Sequence, residues 1–268
     1  MSTAAGKGTR KRRKRGRADT VKRRTQRVHK VSRPVQRQIP ITELLSEESL
    51  DILEQHADWI LKEIGIEFRG DAEALDLFRQ AGATVDGERV RFDAGHATAL
   101  CATAPSQFTM HARESAYSIV VGNGTVSCTP GYGSPFVTDL EAGRRYASLE
   151  DFENFVKLTY SSPWLHHSGG TVCEPVDVPV NKRHLDMVYT HLRYSTKPFM
   201  GGVTAVDRAL DSVAMARIVF GEAFMEDNCV IQGNINLNSP LVLDSVMSGS
   251  LKVYARANQG VFVSPFIL

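Results

Sequence analysis

The stretch that decides the fold is CVIQGNINLNSPLVLDSVMSGSLKVYARANQGVFVSPFIL, residues 229–268. It opens on the β-rich run Cys229–Gln232 and closes on a second, Val261–Ser264. Between them Val242, Val246, Gly249 and Val253 recur at intervals of four, three and four, the spacing of one helix face. Strand, helix, strand at this length predicts a right-handed crossover between parallel strands. The same rhythm runs upstream. Short β-rich runs stand at Thr125–Thr129, Trp164–His167 and Pro198–Met200. Helical stripes separate them: Leu149, Phe152, Val156 and Thr159; then Val180, His184, Val188 and Leu192; then Ala209, Val213, Ala216 and Phe220. The reading is an α/β fold with about five parallel strands.

An open doubly wound sheet would carry a GxGxxG turn running from its first strand into a helix. The glycines here, Gly122, Gly124, Gly131 and Gly133, do not have that form. The expectation is therefore a (β/α)8 barrel of the TIM type. A whole one takes about 250 residues, whereas residues 125–268 are too few. The prediction is an incomplete barrel ending after its fifth strand on the apolar Phe266–Leu268.

Ahead of it, residues 41–124 read as a mixed α+β cap. Ser46 precedes an apolar stripe (Leu50, Leu53, Ala57, Ile60, Ile64) that ends at Gly65, the pattern of a capped helix. Asp71 starts a second helix through Leu75 and Phe78, and Asp86–Gly87 marks a hairpin. Asp93 to Pro105 reads as a third helix, followed by strands at Phe108–Met110 and Tyr117–Val121.

The formal charge of +2 conceals an asymmetry. Residues 1–40 hold 15 Lys and Arg against one acid, Asp19, so the remainder is an acidic body. A tail with RKRRKR at 10–15 and hardly any large apolar residue is expected to be disordered. A nucleic-acid arm is the competing reading, but a basic run without interleaved aromatics or a reading module supports only salt-sensitive phosphate contact. No apolar run reaches the roughly 18 to 20 residues of a membrane span, and none follows the basic start as a signal peptide would. Four scattered cysteines without a CxxC pair argue against a disulfide scaffold. A cytoplasmic protein without membrane contact is expected.

A barrel holds its site at the C-terminal strand ends. Those ends present Tyr132 and Phe136, then His166, His167 and Ser168, then Gly201 and Gly202, then Gln232, Asn234, Asn236 and Asn238. The four amides alternate, so an extended chain turns them to one face. They read equally as donors for a polar substrate or as turn residues that end the strand. Of His166 and His167 only one can face the axis, and no HxxxH or Cys/His cluster completes a metal site. His184 and His191, seven apart on a helix, read as surface or packing residues. Tyr132, Phe136, Trp164 and Phe199 could form an aromatic cage for an organic cation.

Several segments resemble the corrinoid-dependent trimethylamine methyltransferase family. They are GYGSPFVTDLEAGRRYASLEDFENFVKL at 131–158, GGTVCEPVDVP at 169–179, Lys197–Pro198 and NINLNSPLVLD at 234–244, and the likeness spans residues 41–268. The resemblance implies a (β/α)8 barrel that takes a methyl group from trimethylamine or a quaternary amine such as glycine betaine. The acceptor it implies is the Co(I) of a corrinoid (cobalamin) carried by a separate protein, with no cofactor or metal bound directly. It also implies a chain inactive by itself, since the family's later barrel strands, including the pyrrolysine position of some members, are missing. A betaine carboxylate would take donors from His166 or His167 and from Asn234 and Asn236. A homo-oligomer is expected. Another barrel enzyme acting on a small polar substrate is the runner-up, but it would want a lysine or paired acids at strand ends, and Lys197 opens a strand instead.

Overall fold

In the computed structural model, residues 35–40, 42–238 and 240–265 are described. The basic tail expected over 1–40 lies outside them for residues 1–34, as does Phe266–Leu268. A short strand β1 (Val35–Gln36) precedes α1 (Glu47–Trp59), capped by Ser46, whose Oγ accepts the Ser49 amide. A π-helical turn over Ile60–Ile64 carries α1 on to Gly65, where φ is +73°. A Cβ there would lie 2.4 Å from the Val90 carbonyl oxygen, so the close approach requires glycine. The predicted stripe forms but none of it is fully buried: Leu50, Leu53 and Ile64 are about half exposed.

Next come β2 (Ile66–Arg69), α2 (Ala72–Gln80), β3 (Thr84–Asp86) and β4 (Arg89–Arg91). Asp71 caps α2 and the β3–β4 hairpin turns at Gly87, both as the sequence requires. The third helix is shorter than expected: α3 (His96–Cys101) starts only after Gly95, whose φ of +76° no helix accommodates. The antiparallel pair β5 (Gln107–Met110) and β6 (Ile119–Gly122) follows, then β7 (Thr125–Val126). β7 pairs antiparallel with β1, so the run expected as the first parallel strand turns away over its first two residues.

The remainder comprises the hairpin β8 (Phe136–Asp139) and β9 (Gly143–Tyr146), α4 (Leu149–Ser161), α5 (Arg183–Tyr194), β10 (Phe199–Met200), α6 (Val206–Phe220), α7 (Glu222–Asp227), β11 (Ile231–Asn236), β12 (Val242–Asp244), α8 (Ser245–Arg256) and β13 (Gly260–Ser264). β10, β11 and β13 form a parallel sheet in that order. Single hydrogen bonds prolong the order upstream. The Met200 amide donates to Gly169 O, the Ser168 amide to Pro198 O and the His166 amide to Cys128 O. The expected strand Trp164–His167 is therefore irregular backbone, yet it lies between its predicted neighbours. Helices follow suit, α4 packing on α5, α5 on α6 and α6 on α8. The fold is mixed α/β, with eight α-helices and five small sheets, none closed, among the described residues.

Two buried polar contacts fasten the elements. β12 joins the N-terminal sheet by pairing parallel with β2, and beside it Lys252 on α8 reaches Asp71 at 2.6 Å and Glu73 at 2.7 Å. Lys197 is buried, and its ammonium donates to the carbonyls of Thr159, Ser162 and Leu165 at 2.7–2.9 Å, closing the end of α4. Burial pushes its pKa down to about 8.

α8 approaches the sheet closely. Along β11, Ile231, Gly233 and Ile235 face the helices, while Gln232, Asn234 and Asn236 face away. Tyr254 is fully buried against this face and donates its hydroxyl to Gly202 O at 2.9 Å. A Cβ on Gly233 would stand 2.6 Å from the Tyr254 ring, and one on Gly201 would stand 2.4 Å from its hydroxyl. Gly233→Ala should therefore cost about 1 to 3 kcal/mol through overpacking, and Tyr254→Phe about 1 kcal/mol through the lost hydrogen bond. Urea unfolding followed by circular dichroism checks both; a Gly233→Ala protein as stable as its parent would contradict this packing.

Candidate functional site

β10 ends at Met200, and the chain then runs through Gly201–Thr204 into α6. Two glycines in succession let backbone, rather than side chains, form the floor of a cavity of about 250 Å3. It lies at the C-terminal ends of β10 and β11, where Asn236, the tip of the polar face of β11, also lines it. That volume is below the roughly 300 to 1,000 Å3 typical of drug-sized ligands, so it suits a small metabolite.

One wall is the inward face of α5: Arg183, His184, Met187, Val188 and His191, at helical spacing. The first turns of α6 and α8 add Arg208 and Met247, and the loop before β8 adds Tyr132. Met187, Met200 and Met247 make much of the lining polarizable and apolar.

The polar groups divide into satisfied and unsatisfied ones. Arg183 pairs with Glu174 and also donates to Val178 O at 3.1 and 2.9 Å. His191 donates Nε2–H to Gly170 O at 2.9 Å, so its Nδ1 must accept the Ser168 hydroxyl at 2.8 Å. Burial pushes the His191 pKa down to about 4, which keeps the ring neutral at pH 7. Next to it His167 is likewise buried, and desolvation, then the proximity of His191, lowers its pKa to about 3. His167 Nδ1 accepts the Gly169 amide at 2.9 Å, leaving the proton on Nε2, which has no partner among the described residues. His184 donates Nε2–H to Asp211 at 2.8 Å, and its Nδ1 is also without a partner among the described residues.

Of the residues singled out from sequence, Tyr132 and Asn236 come together at this cavity. Phe136, His166, His167, Gln232 and Asn234 are not among its lining. Phe136 sits in the β8–β9 hairpin, 4.7 Å from the Tyr146 ring and 4.0 Å from the Arg144 guanidinium. His166 is buried, its Nδ1 accepting the Cys128 amide at 2.9 Å. Gln232 is buried on the polar face of β11, and Asn234 accepts the Ser264 hydroxyl at 2.9 Å, a bond between strands. Asn238 exchanges two hydrogen bonds with Asp244, which makes it a turn residue. Trp164 is exposed and Phe199 is core, so neither shares a cage with Tyr132.

His184 and His191, read as surface or packing residues, are buried in the cavity wall, and Arg183 and Arg208 were not anticipated at all. A signal existed for His184: it occupies a position of the apolar stripe Val180, His184, Val188, Leu192, so burying that stripe buries the imidazole. Among the described residues no group of His, Cys, Asp or Glu is placed to hold a metal ion, and no helix is long and apolar enough to cross a membrane.

Consecutive parallel strands in chain order, a single run of neighbouring helices and a small cavity at the strand ends define an α/β protein of the strand-end site class. Residues 12–268 match the trimethylamine methyltransferase family model, and the chain belongs to that family. It is 38% identical over 231 residues to the glycine betaine methyltransferase of Desulfitobacterium hafniense (strain Y51), covering 86% of this chain and 48% of that protein. To the proline betaine:corrinoid methyltransferase of Eubacterium limosum it is 30% identical over 165 residues, covering 59% of this chain and 33% of that protein. The chain thus spans about half the length, or less, of these curated relatives.

The histidines set a pH dependence. An unfolded chain protonates them near pH 6.5, whereas the native rings resist down to about 4 and 3. The unfolded state then binds more protons, so stability present above pH 6.5 is lost as pH falls toward 4. The urea midpoint should drop between pH 7.5 and 5, and less steeply in His191→Gln. Identical slopes would mean that the buried imidazole contributes nothing.

Proposed function

We propose that this chain forms part of a (β/α)8 barrel whose strand-end cavity holds a methylated quaternary amine of the glycine betaine type, and that the methyl group passes to the Co(I) of a corrinoid protein docked over those ends. The observation that carries the reading is the position of the cavity: it opens where parallel strands in chain order end, in a chain whose relatives are named for betaines. Chain-order neighbours with one layer of helices support barrel winding, because a doubly wound sheet reverses its strand order and places helices on both faces.

The chemistry asks little of side chains. The cobalt lone pair forms the Co–C bond, and the C–N pair returns to nitrogen, which leaves as a neutral tertiary amine. Cobalt rises formally from I to III, and no proton moves. A quaternary ammonium is already activated, whereas a tertiary amine would need a proton or an electrophile. The cavity therefore has to orient one methyl group outward and exclude water, while the corrinoid supplies the nucleophile. Neutral, internally bonded His191 suits a wall of that kind better than a general acid.

The test is a methyl balance. The 268-residue chain and a version extended to the relatives' length are each incubated with methyl-labelled glycine betaine and a reduced corrinoid protein. Dimethylglycine and methylated corrinoid should appear in equal amounts in the extended protein. Betaine bound by both proteins without methylated corrinoid in either would contradict the reading.

A further inference from the structure

The charge in the cavity does not balance. Its charged side chains are Glu174, Arg183 and Arg208. Glu174 and Arg183 neutralise each other. Arg208 has no ion pair among the described residues, and its one side-chain hydrogen bond runs from Nη1 to Thr204 Oγ1 at 2.6 Å. A guanidinium presents five N–H donors in a planar fork that matches a carboxylate, so four remain available. Its position is held from below: its backbone amide is bonded to Asp207 Oδ1, and its Cβ lies 3.3 Å from where a Cβ on Gly202 would be. That glycine lets the start of α6 pack closely on the cavity floor. His184, nine-tenths buried in the same lining, adds a second unmatched polar atom, Nδ1.

An unmatched cation disfavours a bare ammonium ligand and favours an anionic group. The rest of the lining suits the opposite end of a zwitterion. The Tyr132 ring and the thioethers of Met187, Met200 and Met247 are apolar and polarizable, and a ring face attracts a quaternary ammonium. We propose that Arg208 binds the substrate carboxylate and thereby selects a zwitterionic betaine over a methylammonium that lacks a carboxylate. The assignment rests on the methyl-transfer reading of the cavity and names its substrate class. Of the donors expected from sequence only Asn236 shares this lining, since Asn234 is committed to Ser264 and neither His166 nor His167 lines the cavity.

Titration calorimetry with three probes tests it: glycine betaine, 3,3-dimethylbutanoate (carboxylate kept, ammonium replaced by carbon) and tetramethylammonium (carboxylate removed). Arg208→Gln should weaken the two carboxylates by roughly ten- to a hundredfold and leave tetramethylammonium no weaker. Arg208→Lys should recover part of the loss, as a point charge without the fork. Betaine affinity within twofold of the parent in Arg208→Gln would overturn the assignment while leaving methyl transfer standing. So would a parent that prefers tetramethylammonium to betaine. A parent that binds neither N-methylated probe would instead remove the methyl-transfer reading itself.

Discussion

The contact on which the rest of the molecule depends is the seat of Tyr254. Its ring lies on Gly233 and its hydroxyl reaches over Gly201 to the Gly202 carbonyl. Burial strongly disfavours the ionised phenol, so the hydroxyl stays a donor. Because β11 and the residue after β10 present no Cβ at those two points, α8 approaches the sheet closely and packs against α6. The loop after β10 is thereby fixed from behind. That loop is the cavity floor, and it leads directly into the first turn of α6, where Arg208 stands. A tyrosine directly behind the cavity floor thus helps set the position of Arg208.

The electrostatics of the cavity follow from economy of charge. Burial holds His191 neutral, and Glu174 cancels Arg183, so Arg208 accounts for the remaining charge. Methyl displacement from a quaternary nitrogen calls for no general acid or base. The neutral, internally bonded imidazole of His191 in the wall is consistent with a site that orients and desolvates rather than one that moves protons.

Much of this was legible in the residues, and the failures have physical causes. Capping residues at Ser46 and Asp71 begin helices where they stand, because a side-chain oxygen meets amides that nothing else in the helix can satisfy. The alternation along β11 identified its polar face, but only Asn236 reaches the cavity; Gln232 and Asn234 lie deeper on the same strand, and depth along a strand leaves no mark on its period. The run Trp164–His167 occupies its predicted place without strand geometry, since the His166 and His167 amides share the Cys128 carbonyl and only the following Ser168 amide reaches Pro198, single bonds rather than a ladder. The stripe of α1 forms a helix face that stays largely exposed, because periodicity reports an apolar face and says nothing about what covers it. Arg208 carried no signal in sequence: a lone arginine in a helical first turn is ordinary until its lack of a carboxylate partner is visible.

The central claim is that a methylated betaine occupies the cavity at the ends of β10 and β11. Methyl resonances of the methionines report on it most directly. On adding glycine betaine, the signals of Met187, Met200 and Met247, which line the cavity, should shift saturably, while those of Met110 and Met225, buried elsewhere, should stay in place. Shifts at Met110 and Met225 without shifts at the three lining methionines would contradict it.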